Sequence, residues 1–170
     1  YTCEVPLIIR IGDSIRQSLN IVEQYLRDNE LNAIGSLPFS DKGVPLGTLF
    51  AQSNGLPADS YDLAYTCVDK TKFREVEQKA SAPSWYKKPF FSRVYNIDEA
   101  RSIVKDLNKA VFFKPSSEGN SRGCVRISSI QELEQHSSLL DPYFRAGVIA
   151  EESIDDHAEY SCEGVAGRFV

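Results

Sequence analysis

The chain has 170 residues and a net charge of −5, with 42% hydrophobic and 25% charged residues. A chain of this length buries one good core or two small subdomains. The acidic balance argues against a general nucleic-acid binder, whose binding surface is basic. No apolar run reaches the roughly 18 residues that span a bilayer, and no signal-peptide pattern opens the chain, so we expect a cytoplasmic protein without a membrane partner.

Cysteine and histidine usage argues against two further kinds of site. The four cysteines are far apart and form no C-x-x-C pair, and there are only two histidines. This favours buried, reduced thiols over a zinc site or a disulfide framework, and it argues against a histidine-based metal cluster. The cysteines are Cys3, Cys67, Cys124 and Cys162.

The first part of the chain alternates strand and helix patterns, which favours a parallel α/β layer. The predicted order is a strand at 5–11, a helix at 15–28, a strand at 31–37 and a helix at 44–53 closed by Asn54-Gly55. A helical pattern then runs over 59–80 with an interruption near Asp69. In its second half Phe73, Val76 and Ala80 share one face, and Lys70, Arg74 and Glu77 share the adjoining face.

A proline-rich stretch at 81–89 predicts a linker with a short strand, and the best domain boundary lies between Ala80 and Phe91. The pattern after it predicts an α+β portion. Asn96 and Glu99 form a capping box for a helix that extends to Asn108, and Ser129 with Glu132 begins a helix that extends to about Leu140. Strands are predicted at 111–115, 124–127, 148–152 and 159–165, with another opening at 168–170.

The strand at 111–115 and the loop after it carry the residues best suited to bind a polyanion. Lys114 stands at the end of an apolar run, and Pro115 blocks further strand pairing. The small residues of the following loop let backbone N–H groups approach an anion closely. Neither a Walker loop nor the Gly-x-Gly-x-x-Gly spacing of a dinucleotide site is present, so the stretch alone also fits an ordinary strand and hairpin.

Taken in order, the motifs resemble the ATP-grasp superfamily of ATP-dependent carboxylate–amine and carboxylate–thiol ligases. The resemblance covers nearly all of the chain from about Ile34. Its parts are Gly47-Thr48-Leu49-Phe50-Ala51 with Gly55-Leu56-Pro57, Cys67-Val68-Asp69-Lys70-Thr71-Lys72-Phe73-Arg74, a proline-marked strand at Ala82-Pro83, Val111-Phe112-Phe113-Lys114-Pro115, Gly119-Asn120-Ser121-Arg122-Gly123, Val148-Ile149-Ala150-Glu151-Glu152-Ser153-Ile154 and Glu159-Tyr160-Ser161.

The resemblance implies a partial ATP-grasp fold, α/β and then α+β. Residues 1–66 would be part of the preceding α/β domain, 67–90 a linking helix and connector, and 91–170 the N-terminal part of the lid-like subdomain. The sequence contains no methionine and begins at Tyr1. We therefore expect a processed, trimmed or fragmentary chain, and its end at Val170, inside what could be the start of a strand, indicates a fragment. The resemblance implies that the C-terminal part of the parent protein is missing.

The resemblance also implies roles for particular residues. Lys70 and Lys114 would both reach the phosphates of ATP, pointing into one cleft. The backbone amides of Ser117, Glu118, Gly119, Asn120 and Ser121 would cover the β- and γ-phosphates as a lid, and Gly123 would belong to the same ATP-binding set. The segment from Ser116 to Arg122 would be poorly packed. In this assignment Arg122 belongs to the loop surface.

The adenine base would be bound where the strand at 148–152 ends. Glu151 and Glu152 both fit the glutamate that recognises the adenine amino group, with a slight preference for Glu152, and Ser153 and Ile154 continue the same segment. Glu159 would bind the ribose hydroxyls. The sequence 155–158 lacks the family's usual glycine, which affects the register of Glu159.

The chemistry implied is activation of a carboxylate by the γ-phosphoryl group of Mg-ATP, followed by attack of an amine on the acylphosphate. The magnesium ligands would lie beyond Val170, and no catalytic residue is expected within the chain, so the fragment itself would be inactive. The full-length protein could form a homodimer. Two alternatives stay open, namely an enzyme of the biotin carboxylase or carbamoyl-phosphate synthase type and a non-catalytic nucleotide-binding module.

Overall fold

The computed structural model describes residues 14–155, 158, 164–165 and 168–169. The chain divides into two compact units. The first unit contains the residues up to Lys88 together with Pro115–Arg122, and the second contains Pro89–Lys114 and the chain from Gly123 onward. The strand predicted at 5–11 lies outside the described residues.

The described part of the first unit is helical. Ser14, Ser60 and Asp69 cap the N-termini of three helices by accepting backbone N–H bonds, as short polar side chains do at these positions. Leu19 of the first helix and Leu46 and Phe50 of the second form a small apolar core. The helices are α1 Ile15–Asp28, α2 Val44–Ser53, α3 Tyr61–Val68 and α4 Lys70–Lys79, with a short 3-10 helix at Asp41–Gly43.

Two strands predicted for the first unit are wrong. Residues 31–37 form no strand, and Ile34 and Leu37 are 96% and 80% exposed. A strand needs a partner for its backbone hydrogen bonds, and no described strand pairs with this segment. Ala82 and Pro83 are likewise outside any strand, because the Pro83 carbonyl accepts a turn bond from the N–H of Tyr86. The parallel α/β layer is thus not found among the described residues of the first unit.

The second unit contains a four-stranded sheet with two helices, in agreement with the predicted α+β pattern. The strand order is β1-β4-β2-β3, and the β1–β4 and β2–β3 pairs are antiparallel. The elements are β1 Phe91–Val94, α5 Ile97–Leu107, β2 Val111–Pro115, β3 Val125–Ile127, α6 Ile130–Phe144 and β4 Val148–Glu152. A separate two-stranded sheet consists of β5 Gly164–Val165 and β6 Arg168–Phe169.

One face of the four-stranded sheet packs against α5 and α6. Val94, Phe113, Ile127, Val148 and Ala150 are buried in a core with residues of both helices. Because successive side chains of a strand point to opposite faces, the residues between them lie on the other face. That second face carries Phe91, Arg93, Phe112, Lys114, Arg126, Ile149 and Glu151.

Two details differ from the sequence prediction. Helix α6 continues to Phe144 rather than ending near Leu140, although Pro142 lies inside it. Leu140 and Phe144 are buried in the core, and this packing favours the extra turn. Cys67, expected to be buried, is exposed, whereas Cys124 is half-buried. No helix among the described residues is both long and apolar enough to cross a membrane.

Candidate functional site

Lys70 lies against the loop at 115–122 within the first unit. Its ammonium group donates to the carbonyl oxygens of Pro115 and Glu118, at 3.3 and 2.6 Å. Its backbone N–H donates to the carbonyl of Ser116 at 2.9 Å. The structure therefore brings together a lysine and a loop that are more than 40 residues apart in sequence, and it places a cation at the base of the loop.

The start of α4 fixes the position of Lys70. Asp69 is buried, and its Oδ1 atom accepts the N–H groups of Thr71 and Lys72 at 2.9 and 3.2 Å. The hydroxyls of Thr71 and Ser116 are 3.0 Å apart, and both residues are buried. These contacts join the first turn of the helix to the beginning of the loop.

The tip of the loop is exposed, but its base is not. Ser117, Asn120 and Ser121 are exposed, whereas Glu118 and Gly119 are half-buried. Asn120 and Ser121 have left-handed backbones, with φ of 57° and 55°, and the N–H of Arg122 bonds weakly back to the carbonyl of Gly119 at 3.4 Å. Two consecutive left-handed residues form a tight turn of the kind found in short hairpins. The expectation of a poorly packed segment is thus met at the tip and wrong at Ser116.

Side-chain charges also hold the loop on the first unit. Lys42 forms an ion pair with the Glu118 carboxylate at 3.1 Å, and Arg122 approaches the same carboxylate at 4.0 Å. A Cβ atom added to Gly119 would lie 3.2 Å from a carboxylate oxygen of Asp41. The short helix at Asp41–Gly43 thus contacts the middle of the loop.

In the second unit, Lys114 forms an ion pair with Glu151 on the second face of the sheet. Lys114 is on β2 and Glu151 is on β4, which are neighbouring strands. Their side chains are 22% and 7% exposed, and the Lys114 ammonium lies 5.8 Å from the centre of the Phe112 ring. Gly123, which follows the loop, is buried and has a φ of +68° that favours glycine.

The other glutamate of β4 has a different partner. Glu152 forms an ion pair with Lys109 at 2.5 Å, and its backbone N–H donates to the carbonyl of Phe90. The N–H of Ser153 donates to the carbonyl of Ala110 at 2.9 Å, and Ile154 is 58% exposed. Glu159 lies outside the described residues.

Three charged residues around these segments were missed by the sequence reasoning. They are Lys42, Lys109 and Arg126, which contact Glu118, Glu152 and Asp155 respectively. Hydrogen bonding to Asp155 raises the pKa of Arg126 above its ordinary value. No local pattern marks such pairs, because each joins residues that are distant in sequence.

The described residues contain no group of three or more His, Cys, Asp or Glu side chains that could hold a metal ion.

Comparison with known proteins gives structural matches only. No protein-family profile matches the sequence, and no curated protein matches it. An L-amino acid ligase from Bacillus licheniformis is similar in structure, with a TM-score of 0.58 and 20% identity over 84% of this chain and 31% of that chain. D-alanyl-alanine synthetase A from Vibrio cholerae is similar with a TM-score of 0.54 and 12% identity over 79% of this chain and 40% of that chain.

A third similar structure contains a nucleotide. It is the biotin carboxylase domain of a 2-oxoglutarate carboxylase from Hydrogenobacter thermophilus, in complex with MgADP and bicarbonate. It matches with a TM-score of 0.61 and 16% identity over 87% of this chain and 34% of that chain. The chain thus spans about a third of the length of the proteins it resembles. These neighbours are ATP-grasp proteins, and the chain is similar in fold to the part of them that it covers, in agreement with the resemblance of its motifs.

Proposed function

We propose that this chain is the ATP-binding portion of an ATP-grasp ligase, which activates a carboxylate as an acylphosphate with Mg-ATP for attack by an amine. The observation that carries the proposal is the position of the Lys70 ammonium at the base of the loop. The similarity of the fold to ATP-grasp ligases supports it.

The phosphate groups are bound by two lysines and the loop. Lys70 and Lys114 provide ammonium groups, and 117–121 with Gly123 provide backbone N–H groups. The Lys70 ammonium donates to neutral carbonyls, and phosphate oxygens compete well for it because charge-assisted hydrogen bonds are stronger. Loop opening exposes this cation, and loop closure excludes water from the phosphates.

The base is bound along the end of β4. Glu151 shares the second face of the sheet with Lys114, whereas Glu152 faces Lys109. The placement therefore favours Glu151 as the carboxylate nearest the nucleotide, against the slight preference for Glu152 from sequence. Ser153 and Ile154 provide the adjoining backbone, and Glu159 is retained as the candidate for the ribose.

The chemistry assigned to this chain is positioning and charge neutralisation. Phosphoryl transfer is catalysed mainly in these two ways. Lys70 and Lys114 balance the negative charge of the phosphates, and the loop keeps the transferred group in place. Magnesium, when bound, supplies further charge neutralisation. Its ligands, like the carboxylate and amine sites, are assigned to other parts of the parent protein.

The test is Mg-ATP binding by calorimetry to the chain and to Lys70→Ala and Lys114→Ala variants. Each change removes a hydrogen bond to a charged group, so we expect a loss of about 1.5–3 kcal/mol of binding free energy. Lys79→Ala and Lys105→Ala are the controls. Each removes a lysine from the last turn of a helix, α4 or α5, and should leave the affinity unchanged. Equal binding by Lys114→Ala and the unmodified chain would remove the role of Lys114.

A second candidate, an enzyme of the biotin carboxylase type, is supported by the TM-score of 0.61 to a biotin carboxylase domain. The loop has only two glycines, Gly119 and Gly123, fewer than the glycine-dense loops of such enzymes. ADP formation by the parent protein distinguishes the two candidates. Stimulation by amino acids with no effect of bicarbonate supports the ligase, and the reverse supports the carboxylase.

We also retain the division into 1–66, 67–90 and 91–170 and the homodimer of the full-length protein as proposals. A parent protein that binds Mg-ATP but forms no ADP with any carboxylate would instead be a non-catalytic nucleotide-binding module.

A further inference from the structure

Arg126 is exposed and yet makes polar contacts with three other residues. Its guanidinium group binds both carboxylate oxygens of Asp155, with Nε–Oδ1 and Nη2–Oδ2 distances of 3.1 and 2.9 Å. It also donates to the hydroxyls of Ser153 at 3.2 Å and Ser128 at 2.8 Å. The Ser153 hydroxyl in turn donates to Asp155 at 2.9 Å.

These contacts join the edge strand to the segment that follows β4. Arg126 is in the middle of β3, at the edge of the sheet, and pairs with Phe112. Ser153 and Asp155 lie on either side of Ile154, so one guanidinium group binds the residue before Ile154 and the residue after it. A bidentate arginine–carboxylate pair also specifies geometry, because the planar donors match the two oxygens.

We propose that Arg126 is a positioning residue that holds residues 153–155 in the conformation that binds the purine base of the nucleotide. This inference rests on the proposed function, since it takes the end of β4 as the base-binding segment. Arg126 does not itself contact the nucleotide in this proposal. It acts by ordering the backbone in advance, which reduces the entropy lost on binding.

The first test compares ligands with and without a base. Mg-ATP and inorganic tripolyphosphate are titrated into the unmodified chain and into Arg126→Ala and Asp155→Asn variants. We expect about tenfold weaker binding of Mg-ATP in both variants, the factor that corresponds to reordering roughly one backbone residue. Tripolyphosphate affinity should change by less than about twofold, because that ligand makes no contact with the base-binding segment.

The two variants separate positioning from long-range electrostatics. Arg126→Ala makes the net charge more negative, and Asp155→Asn makes it less negative. A purely electrostatic effect would therefore weaken ATP binding in one variant and strengthen it in the other. Loss in both variants supports the contact itself. The double variant Arg126→Asp/Asp155→Arg should recover most of the affinity.

Arg101→Ala is the matched control. Arg101 is exposed to a similar degree and also forms ion pairs, with Asp98 and Glu134, but it joins α5 to α6. This control should bind Mg-ATP like the unmodified chain. Circular dichroism confirms the fold of every variant before titration.

Three outcomes would overturn the inference. Unchanged Mg-ATP binding in Arg126→Ala would by itself overturn the inference and leave the proposed function standing. Equal losses of affinity for Mg-ATP and tripolyphosphate would overturn it too, because they would show a general structural role of Arg126. Absence of Mg-ATP binding in the unmodified chain would contradict the proposed function and the inference with it.

Discussion

Asp69 ends one helix and begins the next. It is the C-terminal cap residue of α3 and the N-terminal cap residue of α4, and its side chain is buried. Lys70 comes directly after it and reaches the loop through its ammonium and its backbone N–H. A helix cap therefore determines where a proposed phosphate-binding lysine stands.

We expect Asp69→Ala to destabilise the chain by about 0.5–2 kcal/mol, because two N–H groups of α4 lose their acceptor. Asp69→Asn should cost less, since asparagine caps helices about as well as aspartate. Urea unfolding followed by circular dichroism measures both variants. Equal losses for alanine and asparagine would show that the charge of Asp69, and not its capping bonds, is what matters.

Gly147 is a residue whose backbone conformation and surroundings limit substitution. Its φ is +97°, and an added Cβ would clash with Nε of Arg93 and lie 2.9 Å from its Nη2 atom. The Arg93 side chain is held by a 2.6 Å bond from Nη2 to the carbonyl of Ala146, so it moves only at the cost of this bond.

We therefore expect Gly147→Ala to lower stability by more than the roughly 1–2 kcal/mol that a left-handed backbone costs an L-residue. Gly55→Ala is the comparison, because Gly55 has a φ of +66° but nothing within 4 Å of its added Cβ. Thermal unfolding of the two variants measures the difference. A loss no larger than that of Gly55→Ala would mean that Arg93 moves away freely.

At the scale of the elements, the segment at 81–88 is tied back onto α4. The Tyr86 hydroxyl bonds to Glu77, which also pairs with Arg74 at 2.7 Å. Lys88 donates to the carbonyls of Gln78 and Ala80 at the end of α4. Burial raises the pKa of the Glu77 carboxyl, but the hydrogen bonds from Tyr86 and Arg74 outweigh it, so this pKa lies below its ordinary value of 4.5.

This lowered pKa predicts a pH dependence. The stabilisation from ionised Glu77 is full above the unfolded pKa near 4.5 and is lost as the pH falls through the lower folded pKa. We expect Glu77→Gln to cost about 1 kcal/mol at pH 7 and progressively less below about pH 4, measured by urea unfolding at each pH. Glu75→Gln, which removes a more exposed carboxylate of the same helix, should cost less than about 0.5 kcal/mol. A Glu77→Gln cost that is independent of pH would contradict this account.

The elements that the sequence predicted well are those with local determinants. Helices α1, α5 and α6 each begin with a side-chain cap. The capping residue, Ser14, Asn96 or Ser129, accepts the backbone N–H of the residue three positions later. The prediction of a strand at 31–37 was wrong because a strand needs a hydrogen-bonding partner strand, which the local sequence does not reveal. The assignment of Lys70 and the loop to phosphate binding came from family resemblance and stays a prediction. Neither the resemblance nor a local pattern indicated the Arg126–Asp155 and Lys42–Glu118 ion pairs. Exposed charged residues are common, and their positions in the sequence show no periodic pattern.

For the whole molecule, the proposed binding of Mg-ATP is linked thermodynamically to the stability of the fold. Mg-ATP at 100 times its Kd should stabilise the chain by about 2.7 kcal/mol, because it binds the folded state alone. This linkage allows binding to be followed through the unfolding midpoint as well as by calorimetry.

If Lys70 and Lys114 contact one triphosphate, the loss in the double alanine variant should differ from the sum of the single losses by at least about 0.5 kcal/mol. A double-mutant cycle on Mg-ATP affinity measures this coupling. Strict additivity would indicate that the two lysines act on different ligands or at independent positions.

The chain has a single tryptophan, Trp85, in the 81–88 segment, and it is 78% exposed with its ring at 76° to the ring of Tyr86. An indole that is already surrounded by water emits at nearly the same wavelength before and after the polypeptide unfolds. Intrinsic fluorescence will therefore be a poor monitor of global denaturation in this protein.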